Sequence, residues 1–290
     1  MDIAFRNSGC IDLHIHSTAS DGSFSPLEII ETARKIGLRA VAITDHDTVD
    51  GSAEALSFSH SHSIEVLSGI EISADFPRGT MHILGYLIRV DDSDLRRTLE
   101  TVQDARAKRN LKIVAKLQEL GVDIRYDEVV QVSGEGQVGR PHIAQVLVHK
   151  GVVQSVDEAF KKLLRKGGAA YVSRYRLLPA EAIQMILRAG GVPVLAHPFT
   201  LNAKNETELE SILVDLKQAG LKGVEVYNPE HSPEHKNHYE RLALRHGLLL
   251  TGGTDFHGTA KPGVQLGIGK GNLRIPYRLV EELKKSIVKV

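Results

Sequence analysis

The sequence predicts an α/β fold in which a mostly parallel sheet or barrel is interrupted by a block of helices. Two observations carry this expectation. Short apolar runs rich in β-branched residues alternate with segments of helical period through the first third of the chain and again after about residue 178. Between about residues 92 and 178 the alternation stops and the pattern is that of several amphipathic helices, one of them long and centred on residues 96–120. Residues 1–91 and 179–290 are therefore expected to form one α/β unit, and residues 92–178 an inserted helical subdomain.

A first strand is expected at residues 10–16. Ser25 then starts a helix as N-cap, with Pro26 at the first helical position, Glu28 in the capping-box position and Gly37 at the end. Strands follow at residues 39–44, 65–73 and 80–87, with a helix from about residue 51 between the first two. After the insertion come a helix at 179–189, a strand at 192–197, a helix at 206–218 and a strand at 223–227. A helix at 233–246, a strand at 248–255 and a helix at 277–287 complete the chain.

Composition excludes several classes. The 290 residues are 42% hydrophobic and 25% charged, as in an ordinary globular protein. Lys+Arg and Asp+Glu each number 36, so phosphate recognition has to be local and no broad nucleic-acid surface is expected. An aromatic fraction of 5% without tryptophan also argues against an extended base-stacking platform. Cys10 has no possible internal disulfide partner, which fits a reducing compartment and a cytoplasmic protein. No apolar run has the length of a membrane span, and residues 1–6 lack a signal-peptide pattern, so no membrane association is expected. No protein partner is implied.

Polar residues collect at the carboxyl ends of the expected strands: His14, His16, Asp45, His46, Asp47, Glu71, His82, His197, Glu225, Asp255 and His257. Side chains two apart on a strand share a face, so His14 and His16 can reach one metal ion. A single histidine is usually a solvated or core residue. Six of them at strand ends, where the loops of a βα barrel converge, point to a metal site. His60, His62, His149, His231, His235, His238 and His246 fall on helices or polar loops and read as solvated, with His231 near enough to a strand end to touch a substrate.

The successive motifs His-X-His (His14, His16), Thr-Asp-His-Asp (Thr44, Asp45, His46, Asp47), Gly-Ile-Glu-Ile-Ser (Gly69 to Ser73), Ala-His-Pro (Ala196, His197, Pro198) and Gly-Thr-Asp-Phe-His (Gly253 to His257) resemble those of the PHP (polymerase and histidinol phosphatase) family, in the family's order. The resemblance implies a distorted seven-stranded β/α (TIM-like) barrel, three divalent metal ions and phosphoester hydrolysis. It places His14, His16, Glu71 and Asp255 on a first metal and Asp21, His46 and His197 on a second. Glu71 would bridge to a third, completed by His82 and His257. Many relatives have histidine where this chain has Asp21. One of Asp45 and Asp47 would orient a ligating imidazole while the other caps the following helix. Glu225 would act either behind the ligands or on the substrate.

Mixed carboxylate and imidazole ligands suit manganese, iron or zinc better than calcium, and manganese is the first expectation. Adjacent divalent ions activate water at neutral pH and stabilise an in-line displacement at phosphorus. His14, His16, Asp255 and His257 would form the catalytic set. The proton donor to the leaving oxygen stays open between a bound water and His257.

Specificity is expected from the insertion. Arg140 and His142 stand at a helix start in Gly-Arg-Pro-His (139–142), where backbone amides favour an anion and an arginine can grip it. This run, with the stretch around Lys166 and Tyr171, resembles a PHP branch of bacterial 3′,5′-nucleotide bisphosphate phosphatases and 5′-to-3′ exoribonucleases. That branch implies a nucleoside bisphosphate such as pAp, or a short oligoribonucleotide, as substrate. Arg140, His142, Lys166, Tyr171 and Ser73 become the expected substrate contacts. Arg106 and Arg109, three apart on the long helix, read as a solvated charged face. The alternatives are a histidinol-phosphate-type small phosphomonoesterase and a non-catalytic metal- or nucleotide-binding module.

Overall fold

The computed structural model describes residues 9–58, 64–134 and 136–287; His60, His62 and the amino-terminal residues 1–6 lie outside them. Among the described residues eight strands form: β1 (Ile11–Ile15), β2 (Ala40–Ile43), β3 (Glu65–Leu67), β4 (Gly69–Ala74), β5 (Met81–Tyr86), β6 (Val192–Leu195), β7 (Gly223–Tyr227) and β8 (Leu249–Gly252). The helices of the α/β unit are α1 (Pro26–Lys35), α2 (Asp50–Phe58), α7 (Pro179–Arg188), α8 (Glu206–Gln218), α9 (Pro233–Arg245) and α10 (Arg278–Ile287). Between β5 and α7 lie α3 (Ser93–Glu119), α4 (Tyr126–Ser133), α5 (Arg140–His149) and α6 (Val156–Ala159), the last running into a π-helical turn, Phe160–Leu164. No helix among the described residues is long and apolar enough to cross a membrane.

Each expected strand region is occupied, with one division. The run at 65–73 breaks at Ser68 and supplies two strands to two sheets, β1-β2-β3 and β4-β5-β6-β7-β8. Ser68 leaves the ladder to donate its hydroxyl to Ile88 O at 2.8 Å, and Gly69 lets the chain pass close to Ile43, where a Cβ would lie 2.7 Å from the carbonyl oxygen. The first sheet is parallel, but in the second β5 runs antiparallel to both β4 and β6. This corrects the expectation of a mostly parallel sheet around β5. Only residues 75–80 join β4 to β5, too few for the crossover that parallel neighbours need.

The two sheets meet at the carboxyl ends of their strands through isolated bridges. Asp255 N donates to His14 O at 2.8 Å and His16 N to Phe256 O at 2.9 Å on one side. On the other, Asp47 N donates to Glu71 O at 2.9 Å and Glu71 N to Asp45 O at 3.1 Å. These lacings join the segments that carry the candidate ligands. Strands β1, β2 and β6 are buried throughout; β2 accordingly reads as an unbroken apolar run, whereas β1 also buries Asp12 and His14. Helix α1 has the expected capping box, with Glu28 N donating to Ser25 Oγ at 3.3 Å and Ser25 N to Glu28 Oε2 at 2.8 Å.

Helix α3 belongs to two cores. Leu95, Leu99 and Val102 pack with the second sheet, whereas Ile113, Val114 and Leu117 pack with Ile124, Val129, Ile143 and Leu147 in a separate apolar cluster of the helical segment. One rigid helix thus fixes the inserted helices against the strand ends.

Candidate metal centre

The strand ends deliver nine potential ligands to one buried volume. Their donor atoms fall into four overlapping groups: His16, Asp21, His46 and His257; His14, His16 and Asp255; His14, Glu71 and His197; His46, Glu71 and His82. Glu71 is central: its Oε1 lies 2.9 Å from His82 Nδ1 and 3.0 Å from His197 Nε2, and its Oε2 lies 2.8 Å from His46 Nδ1. The grouping departs from the one the family resemblance implies, His46 standing with Glu71 and His82 as well as with Asp21. His197 stands with Glu71 and His14, because β6 neighbours β5 and β7; His257 stands with His16 and Asp21, because β8 abuts β1.

Outer contacts aim the rings inward. His14 Nδ1 donates to Glu225 Oε1 at 2.8 Å, and His257 Nδ1 donates to Asp255 O at 2.9 Å, so each presents its other nitrogen as a lone pair. Glu225 also accepts His197 N at 2.8 Å and Asn228 Nδ2 at 3.1 Å. Asp45 touches no imidazole. It accepts Ser17 N, Ser17 Oγ and Ser20 Oγ at 2.6–2.7 Å, and Ser20 Oγ is 3.5 Å from His16 Nδ1, so Asp45 holds the loop that backs His16. Three site residues have left-handed backbone: Asp47 at φ 56°, His197 at φ 25° and Asp255 at φ 53°. Such strain persists where surrounding contacts over-determine the geometry. Gly253 is required by close approach, since a Cβ there would lie 2.3 Å from His14 N.

The residues fit metal ions. His14 Nε2, His16 Nε2, His46 Nδ1 and Glu71 Oε2 are buried without hydrogen bonds; the short His46–Glu71 approach is off the hydrogen-bond direction. Four orphaned donor atoms in one volume would be costly unless a cation satisfied them. Electrostatics agree. Burial opposes charge on His14, yet Glu225, Glu71 and Asp255 hold its pKa well above the ordinary value, while burial with His46 and His197 pushes His82 down to about 4. Burial and neighbouring His16 likewise push His257 down to about 4. The carboxylates attract positive charge that the crowded rings cannot all carry as protons.

Beside the ligands opens a cleft of about 250 Å³ bordered by Asp21, His46, Ser73 and His82 on one side and by Arg106, Arg109, Arg140, Arg174 and Arg176 on the other. Arg106 and Arg109 correct the expectation of a solvated face: Arg109 is only 4% exposed. They share the buried stripe of α3 with Val102, Asn110 and Ile113, a phase visible in the sequence once the helix is indexed. Arg174 and Arg176 were not anticipated. They alternate along an extended segment with Ser173 and Tyr175, which face outward, a pattern too short and too rich in arginine to read as a strand.

Asp47 pairs with two of these guanidiniums. It accepts from Arg106 Nη2 and, at 2.8 Å, from Arg174 Nη2, and its Oδ1 accepts Ser73 N at 2.8 Å. It therefore neither orients an imidazole nor caps α2, where Thr48 Oγ1 accepts Asp50 N instead. Arg106 Nε, Arg174 Nε and Arg174 Nη1 remain buried without partners. Burial, followed by Arg140, Arg106, Arg174 and Arg176, pushes Arg109 down to about 8. Guanidinium stays protonated across the ordinary range, so the like charges crowded around the cleft favour an anion between them.

Other expected contacts are spread more widely. Arg140 lines the cleft and donates Nη1 to Leu164 O at 3.0 Å. His142 is buried; its Nδ1 accepts Gly139 N at 3.0 Å, and it borders a different cleft. Lys166 is exposed and donates to Pro77 O at 3.1 Å, while Tyr171 sits on an outer groove with Lys112 and Lys116. Neither borders the arginine cleft. His231 corrects its reading as solvated: it is 2% exposed, donates Nδ1 to Val226 O at 2.8 Å and packs edge-on against Phe199 and Tyr239. Its apolar neighbours come from other elements, which local sequence does not reveal.

Fold and site together define an α/β protein with a multidentate histidine–carboxylate centre at its strand ends. The chain belongs to the PHP domain family, whose profile matches residues 12–242. It is 33% identical over 258 residues to a 3′,5′-nucleoside bisphosphate phosphatase from Chromobacterium violaceum, covering 89% of this chain and 90% of the relative. It is 33% identical over 246 residues to a 5′-3′ exoribonuclease from Haemophilus influenzae, covering 85% and 89%. A solved structure of an amidohydrolase from Chromobacterium violaceum with bound sulfate superposes with a TM-score of 0.85 at 32% identity, covering 95% and 96%.

Proposed function

We propose that this chain is a metal-dependent phosphoesterase that hydrolyses nucleotide phosphates, taking a 3′,5′-nucleoside bisphosphate such as pAp, a short 5′-phosphorylated RNA, or both. The observation that carries this reading is the juxtaposition of orphaned ligand atoms with a five-arginine cleft. A substrate with two phosphates would place one at the ligand cluster and the other among the guanidiniums. A metal cluster alone selects only the phosphate being cut, so the arginines would supply the preference for a nucleotide over a simple monoester. The relatives named as a bisphosphate phosphatase and an exoribonuclease support this choice.

Under this reading His14, His16, Asp21, His46, Glu71, His82, His197, Asp255 and His257 hold three divalent ions, manganese first among the candidates. When bound, such ions supply an activated water and stabilise the charge that builds on the phosphoryl oxygens. The chain's own groups do the rest. Glu225 fixes the His14 tautomer. Asp47 holds Arg106 and Arg174 at the cleft edge, so the anion meets an ordered pair of guanidiniums. His142 uses Nδ1 as an acceptor, which leaves the proton of the neutral ring on Nε2 as a donor beside Asp21. We read the two sheets as one distorted seven-stranded barrel in which β3 and β4 count as a single broken strand. Residues 92–178 form its specificity subdomain, and lone Cys10 fits a cytoplasmic setting.

A manganese-supplemented hydrolysis screen over nucleoside bisphosphates, mononucleotides, 5′-phosphorylated dinucleotides and histidinol phosphate tests the reading. Bisphosphates or dinucleotides should be the best substrates. Much faster turnover of histidinol phosphate would overturn the substrate class, and hydrolysis of no phosphoester would leave a binding module.

A further inference from the structure

Asp21 borders two clefts. One is the arginine cleft; the other, of about 610 Å³, lies where α4, α5 and α6 face the loops after β1 and β8. The second cleft is chemically the opposite of the first. Thr18, Gln131, Ser133, Gln145, His149 and Thr259 line it with amides, hydroxyls and an imidazole. Val132, Val156 and Pro262 add apolar surface. Among the described residues it contains no lysine or arginine, and Asp21 is its only carboxylate. Helix α5 separates the two: Arg140 and Pro141 face the first cleft, and His142 and Gln145 the second.

From this arrangement, and resting on the phosphoesterase reading above, we infer that the second cleft binds the sugar and base of a nucleotide esterified to the phosphorus under attack. It would hold the rest of the strand when the substrate is the 5′-phosphorylated RNA of the reading above, and stay empty when it is the bisphosphate. Both reactions are one displacement. Water adds its hydroxyl to phosphorus, the bond from phosphorus to O3′ breaks, and a proton passes to O3′, releasing a nucleoside 5′-phosphate with a free 3′-hydroxyl. In a bisphosphate the phosphorus otherwise carries ionised oxygens. In a strand it also carries O5′ of the next nucleotide and keeps it, leaving a new 5′-phosphate on the shortened strand.

The 5′-phosphate of the first nucleotide anchors on the arginines in both cases, so the group distinguishing the substrates has to leave the ligand cluster in another direction. The neutral cleft beyond Asp21 offers one. Its volume lies in the ordinary range for small-molecule sites, its amides and hydroxyls can meet ribose and base edges, and its apolar strip can pack a base face. With no lysine or arginine in that cleft, later phosphates of a longer strand would gain no ion pairs there, so length beyond the second nucleotide should add little affinity.

The test compares a 3′,5′-bisphosphate with the 5′-phosphorylated dinucleotide of the same first base. Gln145→Trp, which fills the second cleft, should lower kcat/KM for the dinucleotide relative to the bisphosphate by about tenfold or more. Ser133→Trp makes the same test from α4 should the first variant not fold. Because the natural chain has no tryptophan, Thr259→Trp at the rim reports binding directly. Its fluorescence should respond to the dinucleotide and stay unchanged with the bisphosphate. The inference is overturned if the natural enzyme hydrolyses bisphosphates but not dinucleotides, if the plugging variants affect both substrates equally, or if the rim tryptophan ignores the dinucleotide. Hydrolysis of neither substrate would instead remove the phosphoesterase reading, and the fluorescence response would still decide whether the cleft binds nucleotides.

Discussion

Arg174 Nη2 donates to Asp47 Oδ2 at 2.8 Å, joining a residue next to a candidate metal ligand to an arginine 127 positions away. Arg106 meets the same oxygen from α3, and Gln103 Nε2 donates to Asp47 O at 2.9 Å. Through Asp47 the helical insertion and the strand ends are registered against each other.

Asp47→Asn should therefore raise KM for a nucleoside bisphosphate more than it lowers kcat, because the guanidiniums that meet the distal phosphate lose their common anchor. Leaving two buried guanidiniums without a carboxylate should also cost roughly 3–5 kcal/mol of stability. Steady-state kinetics and thermal melts check both effects. An unchanged KM would remove Asp47 as the organiser of the cleft.

Glu225→Gln keeps the size of the side chain but removes the acceptor charge at His14 Nδ1. Metal affinity should fall by about 10–100-fold, measured by titration calorimetry or by metal content after dialysis. Retained affinity would mean that Glu225 does not set the ligand geometry.

Arg109→Gln and Arg140→Ala should act mainly on binding. KM for bisphosphates should rise while a small aryl phosphate, which has no second anion, is turned over as before. By contrast His14→Ala or Asp255→Ala should abolish turnover of both. A fall in kcat without a rise in KM for Arg140→Ala would contradict this division of labour.

His231 gives a pH signature. Burial first, and then the neighbouring rings His197 and His235, lower its pKa to about 4. The folded ring binds its proton more weakly than the unfolded one, whose pKa is about 6.5. Stability from the neutral ring is thus complete above about pH 6.5 and lost as pH falls toward 4, on the order of 3 kcal/mol. Melts of His231→Gln between these limits should show a shallower loss than the natural protein. Parallel curves would show that His231 carries no such linkage.

Gly253→Ala should destabilise the chain by roughly 1–3 kcal/mol and lower its metal content, because the added methyl would meet His14 N at 2.3 Å. The melting temperature and metal stoichiometry of the variant check this.

Much of the centre could be read along the chain because its ligands stand at the ends of strands with strong local signals. His14 and His16 share a strand face, and the capping box of α1 is complete within four residues. The arginine cleft was only partly legible. Arg140 follows a helix-starting glycine and Arg106 shares the apolar phase of α3, but the alternation that carries Arg174 and Arg176 is too short to read as a strand. His231 resembled a loop histidine because its aromatic neighbours are brought from other elements.

By itself the sequence determined which residues end the strands and which of them can bind metal, since alternation and ligand chemistry are local properties. Only the tertiary structure decided how the ligands group, that β5 runs antiparallel, and that five arginines face one cleft while a neutral one opens beyond Asp21. Those outcomes depend on strand order and on the packing of α3 against two cores, which join residues far apart in the chain. Sequence spacing does not encode such distances.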